Sequence, residues 1–472
     1  MPPSRHLGFG MRLLVAVFTI VFLATAQAQP AVPETKAAAV FAAWLDAFNS
    51  ADAVKVGAFD RTYRPAPSLA QLSGLRRQSG GFVLVRVVAS EASRFTGLLK
   101  EVESQRFAQV QMALTGDPEP VLASFALDLV PPPADLAVQR LSEADAVAQL
   151  VSHLDEAARR DRFAGAVLVA RDGKVLLERA WGLADRARNL PATVETRFRI
   201  GSMSKMFTAV AVLQLVEAGK LGLDDTVGRH LAGYPNRAIA ETVTIRQLLT
   251  HTGGTGDIFG PGFAENRHNL RTHDDYVRLY GERAPDHPPG AGQRYSNYGF
   301  ILLGALIETA SGMSYDDYVR RHLFEPAGMT STGSLPESEA VPERAVGYIS
   351  RGNELVPNSD TLPWRGTSAG GGYSTVGDLL RFVEALQAGR LISPALFQAA
   401  TRRQAGPFGL GFAVVGDGDW QGFGHNGGAP GMSGDLHVFP RLGYVLVALA
   451  NLDPPASSRP LEFIEPRLPE AR

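Results

Sequence analysis

The chain has 472 residues, of which 45% are hydrophobic, and its formal net charge is −2. That length accommodates two domains or one large one, and the balanced charge argues against nucleic acid as the main partner because a basic footprint is missing. The sequence contains no cysteine, which excludes a disulfide framework, a thiolate nucleophile and a cysteine-based zinc site.

Residues 1–28 are predicted to be an export signal. Basic residues precede the apolar run LLVAVFTIVFLA, and Ala26 and Ala28 fit a small-residue cleavage site with the cut before Gln29. The apolar run is short for a membrane span, so an uncleaved anchor is the less favoured alternative. We therefore expect export to a bacterial periplasm or to the medium, with no stable membrane span after cleavage.

Residues 31–130 are predicted to form a small α+β domain. The stretch AAAVFAAWLDAFNSAD has apolar residues at helical spacing, and three alternating segments, GFVLVRVVAS, RFAQVQMAL and VLASFALDLV, are typical of strands. This order resembles the cone-shaped, nuclear-transport-factor-like domains that precede some secreted hydrolases. Three consecutive prolines begin at Pro131 and cannot continue a sheet, so residues 131–140 are predicted to be a stiff linker.

A second, larger domain is predicted over residues 141–460. It begins with the helical stretch SEADAVAQLVSHLDEAARRD, and two β-rich segments then flank Asp172-Gly173, a strong hairpin signal. Another strand pair lies near the end, in GDLHVFPRLGYVLVALAN, and mostly helices and glycine-rich loops lie between. We expect an α+β fold in which both ends of the domain form one antiparallel sheet, with helices flanking it and a helical lobe against it.

The stretch RIGSMSKMF raises the first chemical hypothesis. It opens a helix, SMSKMFTAVAVLQLVEAG, that is apolar nearly all round and is therefore expected to be buried. Residues three apart on a helix share a face, so Lys205 is expected to lie beside Ser202 rather than Ser204. Burial lowers the pKa of a lysine, and such a base can activate a serine hydroxyl. Taken alone, the same pattern fits an N-cap serine with a surface lysine.

Two further motifs support that hypothesis. In YSNYGF, the phenol of Tyr295 can relay a proton and the amide of Asn297 can bind a substrate carbonyl; a tyrosine packed at a helix start is the alternative. In GFGHNGGAPG, the N–H of Gly428 can stabilise an oxyanion together with the N–H of Ser202. His425 can supply a donor or a positive charge beside the leaving group, against the alternative of a glycine-rich turn with an exposed histidine.

Taken together, the three motifs resemble the serine hydrolases related to class C beta-lactamases and to low-molecular-mass penicillin-binding proteins. The resemblance covers about residues 145–455. It extends to other segments of the chain: TRFRIGSMSKMFTA, LDDTV, TIRQLLTHTGG, YSNYGFILLGALIE, FEPAGMTST and SAGGGYSTVGDLLRF. The resemblance implies a beta-lactamase/transpeptidase-like fold for the larger domain, with Ser202 as the acylated nucleophile.

The same resemblance assigns the remaining roles. Lys205 and Tyr295 would form the proton relay, Asn297 would bind the substrate amide or ester, and Gly427 would keep the strand open. His425 departs from the family pattern, because it replaces the lysine that true beta-lactamases carry at this position. That change removes a permanent cation for the antibiotic carboxylate and argues against efficient antibiotic hydrolysis.

The implied activity is hydrolysis of an ester or amide through an acyl-enzyme, of the esterase, D-amino-acid peptidase or carboxypeptidase type. A small ester or peptide is the expected substrate, with a cell-wall origin left open, and no cofactor or metal is expected. Two alternatives stay open: a catalytically silent relative that binds peptidoglycan fragments or a protein partner, and a true beta-lactamase.

Three other segments contain polar residues that could also serve a function. Ser368 lies in GTSAG, which matches G-x-S-x-G, but Pro363 precedes it and glycines follow, so a loop residue near the mouth of the cleft is expected rather than a nucleophile. His251 is expected to join a helix end to the next loop. The stretch RHNLRTHDDY fits no zinc template, and a solvated loop is predicted for its four polar residues, His268, His273, Asp274 and Asp275.

Overall fold

The computed structural model describes residues 30–50, 52–115, 119–351 and 354–470. The predicted export signal lies outside the described residues and stays a prediction. The chain divides into two compact units. The smaller unit contains the described residues up to Ser73, Gly81–Glu101 and Phe107–Val130, and the larger contains Gly74–Gly80, Val102–Arg106 and the described residues from Pro131 onward.

The smaller unit contains an antiparallel sheet whose four described strands pair in chain order. They are β1 (Phe82–Ser90), β2 (Arg94–Glu101), β3 (Phe107–Thr115) and β4 (Val121–Val130). The helices of this unit are α1 (Lys36–Ser50) and α2 (Ala53–Tyr63). The next helix in the chain, α3 (Ser73–Ser79), lies almost entirely in the larger unit. The apolar face of α1 packs on the sheet, where Phe41 stacks on Phe95 with ring centroids 4.2 Å apart. The helix predicted at this position is confirmed, and the nuclear-transport-factor-like interpretation stays a prediction.

Most described strands of the larger unit lie near the two ends of the domain, and three short strands lie between them. In chain order they are β5 (Gly165–Arg171), β6 (Lys174–Trp181), β7 (Leu183–Asp185), β8 (Leu190–Pro191), β9 (Phe198–Arg199), β10 (Tyr348–Arg351), β11 (Glu354–Pro357), β12 (Tyr373–Ser374), β13 (Ala413–Val415), β14 (Gly422–Ala429), β15 (Met432–Phe439) and β16 (Tyr444–Ala450).

Six of these strands form the main antiparallel sheet, in the order β13-β14-β15-β16-β5-β6. The two ends of the domain meet where β16 pairs with β5, with Tyr444 opposite Arg171 and Ala450 opposite Gly165. Asp172 and Gly173 turn β5 into β6 with φ of 48° and 78°, the positive values that a two-residue type I′ hairpin requires. The structure therefore confirms the predicted hairpin and the predicted sheet formed by both ends of the domain.

The central strands of this sheet are buried on both faces. Side chains alternate between the faces of a strand, so Leu168 packs in one apolar core with the helical lobe and Val167 packs in a second core. The second core includes Leu150 and Leu461, which lie on helices near the two ends of the domain. This double burial explains why β5 and β16 are nearly continuous apolar runs.

The helices of the larger unit are α4 (Glu143–Arg159), α5 (Ser204–Glu217), α6 (Val227–His230), α7 (Arg237–Thr242), α8 (Ile245–Leu249), α9 (Pro261–Asn266), α10 (His273–Tyr280), α11 (Asn297–Ser311), α12 (Tyr315–Val319), α13 (Glu325–Ala327), α14 (Val376–Gln387), α15 (Pro394–Thr401) and α16 (Ser458–Ile464). None of the described helices combines the length and the apolar character that a membrane crossing requires.

Helix α5 lies at the centre of the larger core. Its residues from Ser204 to Leu213 are all buried, as its all-round apolar surface predicts. Gly219 follows the end of the helix, and its φ of 67° is the left-handed conformation that a glycine after a helix adopts readily. A rigid buried helix thus carries Lys205 near its first turn.

Candidate active site

A short turn presents Ser202 at the start of α5. Strand β9 leads into a 3-10 turn, Gly201–Met203, which continues directly into the helix. Ser202 is half-buried and lines a cavity of about 1230 Å³ together with Tyr295, Asn426 and Gly428. The hydroxyl at the helix start is thus accessible to a small molecule.

Lys205 is fully buried directly beneath that serine. Its Nζ lies 3.2 Å from Ser202 Oγ and 2.7 Å from Asn297 Oδ1, and it also donates to the Ala369 carbonyl. Burial lowers the pKa of Lys205 to about 7, an effect that the charge of Asp257 opposes only in part. A substantial share of the side chain is therefore a neutral amine near pH 7, which can accept the Ser202 proton.

Tyr295 is the second group that reaches the nucleophile. Its hydroxyl hydrogen-bonds with Ser202, and burial nevertheless raises the pKa of Tyr295 well above its usual range. Lys205 Nζ lies 4.7 Å from the centroid of the Tyr295 ring. The phenol is therefore protonated at neutral pH and can pass a proton onward, while Lys205 is the base.

Asn297 hydrogen-bonds to Lys205 and to Asp257, a role in addition to the predicted substrate binding. Its Oδ1 accepts from Lys205, and its Nδ2 donates to Asp257 Oδ1 over 2.8 Å. The amide therefore orients the lysine. The second hydrogen of Nδ2 is the part available for the predicted substrate contact, which stays a prediction.

His425 is buried, with 3% of its surface exposed, so the alternative of an exposed histidine is wrong. Its Nδ1 donates to the Asn426 carbonyl over 2.6 Å, and its Nε2 has no partner among the described residues. Burial, together with the charge of Lys205, lowers the pKa of His425 to about 4. The side chain is consequently neutral at pH 7, and the expectation that it supplies a positive charge is not met.

Two glycines bring strand β14 against the nucleophile turn. A Cβ on Gly427 would lie 1.9 Å from the Ile200 carbonyl oxygen and 2.9 Å from the nitrogen of Ser202. A Cβ on Gly201, where φ is 52°, would lie 2.9 Å from the nitrogen of Gly428. The backbones are therefore in direct contact, and this contact places the N–H groups predicted for the oxyanion hole next to each other.

Gly427→Ala is expected to lower kcat/KM by about 100-fold, because the added methyl group must push β14 away from Ser202 and a misplaced donor forfeits oxyanion stabilisation. Steady-state ester hydrolysis measures the effect. Gly292→Ala is the matched control, since a Cβ there has open space, and it should keep the parent rate. Equal rates for the two variants would contradict the proposed contact.

His251 lies closer to the site than the sequence indicated. Its Nδ1 accepts from the backbone N–H of Ser296 over 3.1 Å, and its ring stacks on Tyr295 with centroids 4.4 Å apart. Burial, and then the charges of Lys205 and His425, hold the pKa of His251 well below its usual range. The neutral imidazole holds the loop that carries Tyr295.

Ser368 lies in a turn, as expected for a loop residue. Its expected position near the mouth of the cleft is wrong, because Ser368 is fully buried. Its Oγ donates to the Phe300 carbonyl and lies 2.8 Å from His273 Nε2. His273, predicted in a solvated loop, is also buried. Its neighbour Asp275 accepts from Thr272 at the N-terminus of α10, and no group of three metal-ligating side chains occurs within the described ranges.

Sequence reasoning missed two partners of Lys205. Asp257 follows the glycine-rich stretch THTGGTG, and its position as an acid in such a loop is a signal that could have identified it. The carbonyl of Ala369 leaves no signal, because every residue has one. Both groups reach Lys205 from parts of the chain far from α5.

Comparison with known proteins supports the same assignment. The beta-lactamase family model matches residues 146–467. A putative penicillin-binding protein PbpX of Bacillus subtilis (strain 168) is 32% identical over 61% of this chain and 70% of that protein. Esterase EstB of Burkholderia gladioli is 34% identical over 56% of this chain and 76% of that protein.

A solved structure shares the fold. The D-stereospecific amidohydrolase from Streptomyces sp. superimposes with a TM-score of 0.57 at 30% identity, covering 69% of this chain and 99% of that one. The antiparallel sheet flanked by helices, the buried Lys205 beneath Ser202 and the match over more than half of the chain lead to one conclusion. The chain belongs to the beta-lactamase family and is a serine hydrolase of that fold.

Proposed function

We propose that the protein hydrolyses a small ester or amide through an acyl-enzyme on Ser202, with an esterase or D-aminoacyl amidase type of substrate. The observation that carries the proposal is the contact of Lys205 Nζ, whose pKa is about 7, with Ser202 Oγ at 3.2 Å. Neutral His425 favours substrates that need no permanent cation at this position.

The proposed reaction begins when neutral Lys205 takes the Ser202 proton. Oγ then bonds to the substrate carbonyl carbon, and the N–H groups of Ser202 and Gly428 stabilise the oxyanion. As the carbonyl reforms, the bond to the leaving group breaks, and that group takes a proton from the Tyr295 phenol, which Lys205 reprotonates. Water, deprotonated by Lys205, then attacks the acyl carbon. The bond from that carbon to Ser202 Oγ breaks, Lys205 returns the proton to Oγ, and the acid is released.

Support for the substrate type comes from the site and from relatives. A beta-lactam antibiotic carries a carboxylate, and an uncharged imidazole gives that group no ion pair at position 425. An esterase and a D-stereospecific amidohydrolase are among the proteins that this chain resembles. A cell-wall origin of the substrate and export of the protein remain part of the proposal.

A substrate panel tests the proposal. We expect p-nitrophenyl butyrate and a D-alanyl p-nitroanilide to be hydrolysed with kcat/KM at least about 100-fold above that for nitrocefin, because one lost charged contact costs roughly 3 kcal/mol. Nitrocefin turnover equal to that of the ester would favour a true beta-lactamase. Neither turnover nor fluorophosphonate labelling of Ser202 would favour a silent binding protein.

A further inference from the structure

A buried cluster of polar side chains lies behind Lys205, outside the cavity. Ser368 Oγ lies 2.8 Å from His273 Nε2, and His273 Nδ1 lies 3.0 Å from Glu308 Oε1. Serine, histidine and an acid in this order resemble a catalytic triad, but Ser368 is 0% exposed. No substrate can reach its hydroxyl, so the cluster needs another explanation.

The hydrogen-bond partners of Ser368 and His273 determine which atoms carry the hydrogens. The Phe300 carbonyl can only accept, so the single Ser368 hydrogen points to it over 2.8 Å. Ser368 Oγ must therefore accept from His273 Nε2, while Nδ1 donates to Glu308. Burial raises the pKa of Glu308, but the hydrogen bond from His273 and its charge outweigh this effect and lower it. Both ring nitrogens of His273 thus act as donors, the reverse of the histidine in a serine-activating triad, whose Nε2 accepts from the serine.

The cluster holds the loop that contacts the catalytic lysine. Ser368 is tethered by its side chain, and its carbonyl accepts from Thr208 Oγ1 over 2.7 Å. The next carbonyl, that of Ala369, accepts from Lys205 Nζ. Thr208 and Lys205 are three residues apart on α5 and share a face. Two successive carbonyls of the loop are therefore bound to the helix that carries the base.

The surrounding structure leaves the cluster no freedom to shift. A Cβ on Gly304 of α11 would lie 2.3 Å from Ser368 Oγ and 2.4 Å from His273 Nε2. Tyr315 closes the other side, with its ring 5.4 Å from that of His273 and its hydroxyl 2.7 Å from Thr208 Oγ1. The cluster is thus closely packed by Gly304 on one side and Tyr315 on the other.

We propose that Ser368 and His273 are positioning residues that hold the Ala369 carbonyl against Lys205 Nζ and thereby set the placement and proton affinity of the general base. This inference rests on the proposed function, in which Lys205 is that base. An acceptor at Nζ favours the ammonium form, so a displaced Ala369 carbonyl makes Lys205 easier to deprotonate and less well aligned.

Other ionisable groups face the two partners. Around His273 these are Glu308, Tyr315 and Asp316, and the last is paired with Arg365 over 2.8 Å. Around Lys205 they are Asp257, Tyr295, His251 and His425. None of these side chains is altered by changing Ser368, so a change in pH dependence reports the loop carbonyl.

The test is the pH profile of p-nitrophenyl butyrate hydrolysis by Ser368→Ala. We expect kcat to fall about 10- to 100-fold with KM nearly unchanged, because the base is misplaced while the cavity is intact. The acid limb of kcat/KM should move about one pH unit below that of the parent. Fluorophosphonate should still label Ser202.

Ser374→Ala is the matched control, because Ser374 is also 0% exposed and its Oγ lies 2.7 Å from Thr332 Oγ1, away from Lys205. Its acid limb should coincide with that of the parent. An unmoved acid limb in Ser368→Ala, whether or not kcat falls, would overturn the inference. Where Ser368→Ala does not fold, Glu308→Gln is judged by the same two readouts. An inactive, unlabelled parent protein would instead contradict the proposed function.

Discussion

Ser202→Ala is expected to lower kcat/KM for ester hydrolysis by about 10⁴-fold or more, and Lys205→Ala by nearly as much, because nucleophile and base act as a unit. Ser202→Ala cannot form the acyl-enzyme. In Lys205→Ala, the Ser202 hydroxyl loses the amine that lies 3.2 Å away and takes its proton. Steady-state hydrolysis of p-nitrophenyl butyrate and intact-mass detection of the fluorophosphonate adduct measure the two effects.

Ser204→Ala is the control for that prediction. Ser204 belongs to the same helix start, but its Oγ donates to the Gly371 carbonyl over 2.7 Å, whereas Lys205 Nζ contacts Ser202 Oγ. Loss of such a hydrogen bond costs about 1 kcal/mol, so this variant should retain activity within about 10-fold of the parent. A fluorophosphonate adduct on Ser204 or Ser368, or persistent labelling of Ser202→Ala, would refute the assignment.

Lys205→Met is expected to be inactive but to gain stability relative to the parent below pH 7. Burial lowers the pKa of Lys205 from 10.5 to about 7, a fall that corresponds to roughly 5 kcal/mol. Between these two values the folded state binds fewer protons than the unfolded chain, so the free energy of unfolding rises with pH. The penalty of the buried charge is fully present below pH 7 and vanishes above 10.5.

Methionine at this position does not titrate, so the stability difference between Lys205→Met and the parent should shrink by about 3 kcal/mol between about pH 6 and pH 9. Urea unfolding of both proteins at the two pH values measures it. Lys220→Met is the matched control, because Lys220 is exposed and its ammonium stays in water. A difference that does not change with pH for Lys205→Met would contradict the buried, easily deprotonated lysine.

Local patterns predicted much of this protein. Helical periodicity predicted α1 and the buried α5, and the Asp172-Gly173 pair predicted the hairpin of β5 and β6, because each signal depends on residues a few positions apart. The same short-range reasoning placed Ser202 rather than Ser204 beside Lys205, as the contact of Lys205 Nζ with Ser202 Oγ shows. The order of the three motifs then indicated the family, which the match over residues 146–467 shows.

Burial of polar groups was decided by the tertiary structure alone. Ser368 and His273 are 95 positions apart, and Ala369 lies 164 positions from Lys205. Contacts over such separations follow from how helices and loops pack, which no local pattern contains. The sequence therefore placed Ser368 and His273 at the surface, although both are buried.

The charges of the site residues likewise depend partly on the sequence and partly on the tertiary structure. Spacing along the sequence determined that a serine and a lysine three positions later meet. The resemblance of the three motifs to a family implied that a tyrosine, an asparagine and a histidine join them. Whether each is charged depends on how far packing removes it from water. Tertiary structure lowers the pKa of Lys205 to about 7 and that of His425 to about 4, and so makes one a base and leaves the other neutral.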